Sequence, residues 1–197
     1  MESRPAFYDA TDRYSLSATG YHFIAGLLAH LPALVALTCG SVNSYRRLVP
    51  QMWSSAYTVY GMDNREAAVR ICSPMSDNKP GSVNLELKPS DSSANPYLAL
   101  GAVIHAGLDG IRRELDPGEA MNVDPAVLTE AERKARGACR LPESLGAALD
   151  CLQADTVLMD SLGDLRRRAY LAVKRSEAAA FADMDTAQEC FEHFIKF

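Results

Sequence analysis

The pattern that most constrains the fold is an alternation of apolar and polar side chains in residues 83–88. The polar members include Glu86 and Lys88, and a period of two is that of a β-strand with one buried face. The run 67–72 has the same period, and the polar residues 73–81 between the two runs include prolines and a glycine. We therefore expect the two runs to pair as a hairpin with a long loop.

This hairpin would place Arg70 and Glu86 on the same polar face of one sheet, because each occupies a polar position of its own run. A further run, residues 56–60, is rich in β-branched and aromatic residues and is also β-like. The sequence therefore predicts a small antiparallel sheet in the first half of the chain.

Helical signals dominate the rest of the chain. Ser17 is a good N-cap residue for a first helix, and Pro32 suits the first turn of a second, short helix that Gly40 ends. Asn95 followed by Pro96 predicts the start of a long helix that runs to about residue 115. Further helices are expected behind the capping box Thr129-x-x-Glu132 and at about 143–153, 156–162, 164–182 and 186–195. The fold class predicted is α+β, with an antiparallel sheet packed by helices.

Composition and charge exclude several classes of function. The chain has 197 residues, 48% hydrophobic and 23% charged, which is typical of a folded domain and not of a disordered chain. The net charge is −5 and no basic tract stands out, so no nucleic-acid partner is expected. The basic run 166–168 lies in a helix rich in Ala and Glu and is interpreted as a solvated face.

Cysteine usage and apolar runs bear on the cellular compartment. The five cysteines are scattered and form no C-x-x-C pair, which favours the reducing cytoplasm over a disulfide framework or a zinc site. The N-terminus shows no signal-peptide pattern. The longest apolar stretch, 23–37, is interrupted by His30 and Pro32 and is expected to be too short to cross a bilayer. We expect a cytoplasmic protein without a membrane partner.

Candidate functional residues form an ordered series between Arg47 and Lys88. The cations Arg47, Arg65, Arg70 and Lys88 could bind an anion, and Glu86 could ligate a hard cation such as Mg²⁺. The same residues could instead be surface charges, with Glu86 in a structural salt bridge. Residue types alone therefore indicate an α+β domain that binds an anionic ligand with a metal, and they leave the structural alternative open.

The chain resembles the glutamine synthetase family. The resemblance rests on several motifs in order, including Asn-Ser-Tyr-Arg-Arg-Leu-Val-Pro at 43–50 and Asn-Pro-Tyr-Leu-Ala-Leu at 95–100. Segments 7–9, 22–30 and 106–111 extend it, so that it covers essentially the whole chain. The resemblance is to the C-terminal half of the catalytic domain, and it implies the α+β fold of that domain.

The resemblance implies ligation of the γ-carboxylate of glutamate to ammonia or another amine, through a γ-glutamyl phosphate made from ATP. By position, Arg47 resembles a catalytic residue that contacts glutamate and the phosphoryl group, and Lys88 stands where the family binds glutamate with an arginine. Arg65 and Arg70 resemble residues that bind ATP and its phosphates. Glu86 resembles a metal ligand. The cofactors implied are ATP and Mg²⁺ or Mn²⁺.

Three departures from the family pattern indicate a divergent branch. Trp53 occupies the flap position at which the family has a glutamate that closes the site and helps to take a proton from ammonium. A tryptophan cannot act as a base, but it can stack on an organic amine. Lys88 replaces a bidentate donor by a point charge, and Asn84 stands at a position often held by an arginine that contacts ATP. The amine acceptor is therefore expected to be ammonia or a larger organic amine.

The resemblance also implies a larger protein than residues 1–197. The N-terminal β-grasp domain and the first half of the catalytic domain, which supply the other metal ligands, are expected to lie outside this chain. We expect the chain alone to be inactive and the complete protein to form a homo-oligomeric ring. The alternative is a catalytically inactive structural or regulatory subunit, which the loss of the flap glutamate at Trp53 favours.

Overall fold

Helices make up most of this computed structural model, which describes residues 5–196. The helices are α1 (Ala18–Thr38), α2 (Ser44–Arg47), α3 (Lys79–Ser82), α4 (Pro96–Arg112), α5 (Glu130–Ala135), α6 (Leu145–Ala154), α7 (Thr156–Ala180) and α8 (Thr186–Lys196). The strands are β1 (Tyr60–Met62), β2 (Val69–Cys72) and β3 (Asn84–Leu87), in the sheet order β1-β2-β3. The α+β class predicted from the sequence is confirmed.

The sheet is mixed. Strands β2 and β3 pair antiparallel, with Arg70 opposite Glu86, which confirms the predicted hairpin. Strand β1 pairs parallel to β2, so the expectation of a wholly antiparallel sheet is wrong at this edge. After β1 the chain turns at Asp63, which has a left-handed φ of 49°. It then returns to the start of β1, so that β2 begins with Val69 beside Tyr60. The β-like run 56–60 contributes only its last residue to a strand.

Helix α1 is the core helix of the domain. The Ser17 hydroxyl accepts the Gly20 N–H at 3.2 Å, as the predicted N-cap requires. The helix then continues through Pro32 instead of ending there, so the prediction of two separate helices is wrong. Proline removes one helical hydrogen bond, but burial of apolar side chains on both sides of it stabilises the continuous helix.

Because α1 is continuous, the expectation that this apolar segment is too short to cross a bilayer is wrong. By length and composition α1 could cross a membrane, but 67% of its apolar window is buried inside the domain. Leu31 and Leu34 on α1 are completely buried. Burial of this kind is the environment of a core helix in a folded domain.

Helices α1 and α4 approach each other through glycines. A Cβ built at Gly26 would lie 2.2 Å from the Ala106 carbonyl oxygen, and one at Gly110 would lie 2.1 Å from the His22 carbonyl oxygen. Only glycine permits backbones to come this close. This contact fixes α4, and therefore the loop between β3 and α4, against the core helix.

Buried charges join α1 to the two helices packed on it. His30 hydrogen-bonds Asp155 at 2.6 Å and Asp109 at 3.0 Å, and its side chain is 9% exposed. Asp155 is also the N-cap of α7, where it accepts the Leu158 N–H at 3.0 Å. The hydrogen bond to Asp155, together with that to Asp109, raises the pKa of His30 although burial opposes this. His30 therefore links α1 to α4 and to the start of α7 through its two ring nitrogens.

Capping residues in the sequence correctly predicted the starts of α4 and α5. The Asn95 side chain accepts the N–H groups of Tyr97 and Leu98 at 3.0 and 3.2 Å, which confirms the predicted start of α4. The capping box of Thr129 and Glu132 is formed in full at α5. Helix α7 is interrupted by one non-helical residue, at the boundary expected between 156–162 and 164–182.

Candidate functional site

Charged side chains cluster on the polar face of the β2–β3 hairpin. Arg70 donates to Glu86 at 3.1 Å, and the Lys88 ammonium lies 3.8 Å from the other oxygen of the same carboxylate. On its other side the Arg70 guanidinium lies 3.6 Å from Asp63. Hydrogen bonds from Ser73, aided by the charge of Arg70, hold the pKa of Asp63 below its ordinary value. The structure thus brings together three residues of the predicted site, Arg70, Glu86 and Lys88.

The surroundings of Glu86 bear on its predicted role as a metal ligand. Within residues 5–196, no group of three or more His, Cys, Asp or Glu side chains is arranged to hold a metal ion. Mg²⁺ takes oxygen ligands in near-octahedral geometry, and one carboxylate does not supply such a set. The described residues therefore do not form a metal site by themselves. Glu86, with its side chain 41% exposed, could act as one ligand among others supplied from elsewhere.

Arg47 lies at the end of α2 and contacts the loop that follows β3. Its guanidinium donates to the Ser90 carbonyl oxygen at 3.0 Å, two residues after Lys88. It also lies 3.8 Å from the Cys39 sulfur, and burial raises the pKa of this thiol to about 12. Cys39 is therefore a neutral packing partner, and the half-buried Arg47 is held beside the strand that carries Glu86.

A cleft of about 640 Å³ opens beside Arg47, with both polar and apolar side chains in its lining. Its walls include Asp91, which accepts a hydrogen bond from the Ser44 hydroxyl at 2.5 Å. The opposite wall is formed by Cys190, His193 and Phe194 of α8. The Arg47 guanidinium offers this cleft one site for a carboxylate or phosphate, while the Asp91 carboxylate in the same lining disfavours an anion close to it.

Trp53 stands on an irregular loop of residues 51–55. Three of its non-glycine residues have left-handed backbone, with φ of 64° at Gln51, 55° at Trp53 and 70° at Ser55. The Trp53 side chain is 65% exposed, and the Arg65 guanidinium lies 5.6 Å from the centre of its ring. This distance is within cation–π range. Two further residues of the predicted site, Trp53 and Arg65, are therefore in contact.

Glu66 is a residue of this region that sequence reasoning missed. It is only 8% exposed, and its carboxylate accepts the Trp53 N–H at 2.9 Å and the Gln51 N–H at 3.3 Å. No local pattern marks Glu66, because a single acidic residue before an apolar strand resembles an ordinary surface charge. Asp63 and Asp91 were missed for the same reason.

The contacts divide the predicted site into three groups with different neighbours. Trp53 and Arg65 meet at the irregular loop, Arg70, Glu86 and Lys88 share the hairpin face, and Arg47 faces the cleft. The first two groups are adjacent along the chain, because the segment 63–70 supplies residues to both. The structure adds carboxylates to each of these groups, with Glu66 at the irregular loop, Asp63 beside Arg70 and Asp91 in the cleft.

Comparison with known proteins identifies relatives over nearly the whole chain. The gamma-glutamylpolyamine synthetase GlnA3 of Streptomyces coelicolor is 42% identical over 89% of this chain. The glutamine synthetase of Halobacterium salinarum is 39% identical over 97%, and the glutamate–methylamine ligase of Methyloversatilis universalis is 42% identical over 81%. The matched regions make up 38%, 41% and 36% of these relatives, so the chain spans about two fifths of their length.

Solved structures agree with this relationship. A crystal structure described as a novel glutamine synthase homolog superposes with a TM-score of 0.80 and 39% identity, over 97% of this chain and 41% of that one. A GmaS/ADP complex matches with a TM-score of 0.76 and 35% identity, over 92% of this chain and 40% of that one. The family described as glutamine synthetase, catalytic domain, matches residues 1–193, and the chain belongs to the glutamine synthetase family.

Proposed function

We propose that this chain is part of an ATP-dependent ligase that joins the γ-carboxylate of glutamate to an amine. The observation that carries the proposal is the exposed ring of Trp53, which already has a guanidinium 5.6 Å from its centre. A ring that attracts one cation in this geometry suits the ammonium group of an organic substrate once Arg65 has turned from the ring to the nucleotide phosphates. The relatives include ligases named for a polyamine and for methylamine as well as glutamine synthetases, so the preference for an organic amine rests on Trp53.

The reaction has two steps with defined bonds. A carboxylate oxygen of glutamate attacks the γ-phosphorus of ATP, and ADP leaves. The bound ammonium first loses a proton to give the free amine. The amine nitrogen then attacks the acyl carbon of γ-glutamyl phosphate, phosphate leaves, and the nitrogen loses a second proton. Both steps concentrate negative charge on phosphate oxygens, and positioned guanidinium groups stabilise such charge.

We propose for the individual residues the roles that the family resemblance implies. Arg47, which lines the cleft, would contact glutamate and the phosphoryl group, while Lys88 would attract the substrate carboxylate as a point charge. Arg65 and Arg70 would bind the nucleotide phosphates. A bound Mg²⁺ or Mn²⁺ would neutralise phosphate charge, and Glu86 would be one of its ligands, because no group of three or more potential ligands is arranged to hold it within residues 5–196.

The proposal extends to the cellular and oligomeric state. We propose a cytoplasmic protein that works in a homo-oligomeric ring, with the remainder of each active site supplied from outside residues 1–197. Exposed apolar side chains on α4, at Tyr97, Leu100 and Ile104, support burial of this face in a larger assembly.

The test is release of inorganic phosphate by the complete protein that carries this chain. Glutamate, ATP and Mg²⁺ are supplied with ammonia, methylamine or a polyamine in parallel. We expect turnover with an organic amine, and a higher KM for that amine in Trp53→Ala than in Trp53→Phe, because phenylalanine keeps an aromatic face. Turnover with ammonia alone, unaffected by either substitution, would refute the role of Trp53.

A second candidate is a catalytically inactive subunit of a ring assembly. The observation that favours it is the pairing of Glu86 with both Arg70 and Lys88, which leaves this carboxylate neutralised without a metal. A folded protein that binds ATP and releases no phosphate with any amine would support this candidate and contradict the ligase.

A further inference from the structure

The carboxylate of Glu66 accepts hydrogen bonds from the backbone of the loop that carries Trp53. One oxygen accepts the Trp53 N–H at 2.9 Å, and the other accepts the Gln51 N–H at 3.3 Å. The side chain is buried, with 8% exposure. A buried carboxylate is stabilised by hydrogen bonds of this kind, and hydrogen bonds to a charged acceptor are stronger than those between neutral groups.

The loop that Glu66 holds has a backbone that needs external support. Gln51, Trp53 and Ser55 all have φ between 55° and 70°, a region that side chains with a Cβ rarely adopt. Such conformations persist only where the surrounding structure fixes them. The two N–H groups bound by Glu66 belong to the first two of these three residues, so the carboxylate acts where the strain is located.

The residue before Glu66 holds the side chain of the same tryptophan. Arg65 lies 5.6 Å from the centre of the Trp53 ring, while Glu66 holds the Trp53 backbone. The segment is itself anchored, because Asn64 donates to the Met121 carbonyl oxygen at 2.7 Å and accepts the Glu66 N–H at 2.9 Å. Residues 64–66 therefore connect the exposed ring of Trp53 to the buried part of the domain.

We propose that Glu66 is a positioning residue that sets the orientation of the Trp53 ring at the amine-acceptor site. It acts through the loop backbone and does not touch the substrate. The structural part of the proposal stands on the contacts alone, and its consequence for amine binding rests on the proposed function. Loss of either hydrogen bond frees the loop from its left-handed conformation and increases the motion of the ring.

The first experiment uses the tryptophan itself. Trp53 is the single tryptophan of the chain, so time-resolved fluorescence anisotropy reports its motion without a label. Glu66→Gln keeps the volume but offers one acceptor oxygen, and Glu66→Ala removes both. We expect the amplitude of fast local ring motion to increase in the order wild type, Glu66→Gln, Glu66→Ala.

The matched control is Glu130→Gln, which makes the same chemical change at an exposed position on α5. We expect this variant to match the wild type, and far-ultraviolet circular dichroism checks that every variant is folded. Unchanged anisotropy in folded Glu66→Gln and Glu66→Ala would overturn the proposal.

The second experiment measures steady-state kinetics of the complete protein. We expect Glu66→Gln to raise the KM for the organic amine by about tenfold, the scale of one lost hydrogen bond to a charged group, with kcat and the KM for ATP little changed. Equal changes in the KM values for amine and ATP would overturn the positioning role. Absence of turnover in the wild type would refute the proposed function, while the anisotropy result would still decide the role of Glu66.

Discussion

Replacement of Gly26 by alanine tests the close approach of α1 and α4. The added Cβ would lie 2.2 Å from the Ala106 carbonyl oxygen and 2.7 Å from the Gly110 nitrogen. Non-bonded contacts of a Cβ atom below 3.0 Å essentially never occur in proteins. Both neighbours are helix backbone, so no change of rotamer relieves the overlap. The two helices would have to separate by about 1 Å along most of their contact.

The expected magnitude follows from two opposing terms. Overpacking of a core costs about 1–3 kcal/mol, and an overlap with rigid backbone belongs at the upper end of this range. Alanine in place of glycine stabilises a helix interior by up to about 1 kcal/mol. We therefore expect Gly26→Ala to lower the free energy of unfolding by about 2 kcal/mol. Gly101→Ala in α4 is the matched control, because its Cβ would meet no atom within 4 Å.

Urea denaturation followed by circular dichroism measures both variants. Gly101→Ala should keep or raise the free energy of unfolding, by up to about 1 kcal/mol, and Gly26→Ala should lower it. The difference between two chemically identical substitutions isolates the overlap from helix propensity. Equal denaturation midpoints for the two variants would show that α1 and α4 do not meet backbone to backbone, and would refute the reasoning.

Three further variants test other parts of the molecule. Because the pKa of His30 is raised in the folded state, its contribution to the free energy of unfolding is complete below about pH 6.5 and is lost as the pH rises through the folded-state pKa. His30→Gln should remove this pH dependence of the urea midpoint. It should also lower the free energy of unfolding by about 3–5 kcal/mol at pH 6. A flat wild-type profile would contradict this sign. Glu86→Gln should abolish phosphate release by the complete protein. It should change the free energy of unfolding of this chain by less than about 1 kcal/mol, because the Glu86 side chain is 41% exposed. Full activity of this variant would show that Glu86 is a purely structural carboxylate. The isolated chain should self-associate through its exposed apolar α4 face. In sedimentation velocity, the double variant Leu100→Lys/Ile104→Lys should associate less than the wild type. A wild-type chain that stays monomeric at high concentration would contradict this expectation.

Several elements were predictable because the signal for each is local. The period of two in residues 67–72 and 83–88 was sufficient to pair β2 with β3 and to place Arg70 and Glu86 on one face, while the structure adds the register that sets them opposite each other. Asn95 and Thr129 each satisfy N–H groups within their own first helical turn, so the starts of α4 and α5 follow from a few consecutive residues. The order of motifs was also sufficient to identify the family, which the comparisons confirm.

The assignment of roles within the site did not follow from local patterns. The sequence presented Arg65 as a phosphate-binding cation and Trp53 as a flap residue, but their mutual contact depends on how the segment after β1 turns back. The roles assigned to Arg47, Lys88 and Glu86 from the resemblance stay predictions. The structure adds that the Glu86 carboxylate is shared by Arg70 and Lys88.

Local patterns were enough to predict the features that depend on neighbouring residues: the hairpin, the helix caps, the break near residue 163 and the polar face of the sheet. Contacts between distant segments account for the parallel pairing of β1, the continuity of α1 through Pro32 and the burial of Glu66 under the Trp53 loop. The two sets differ in the range of the interactions behind them. Caps and alternation act within a few residues, whereas burial and hydrogen bonds between distant segments exist only once the chain has folded, and they outweigh weak local preferences.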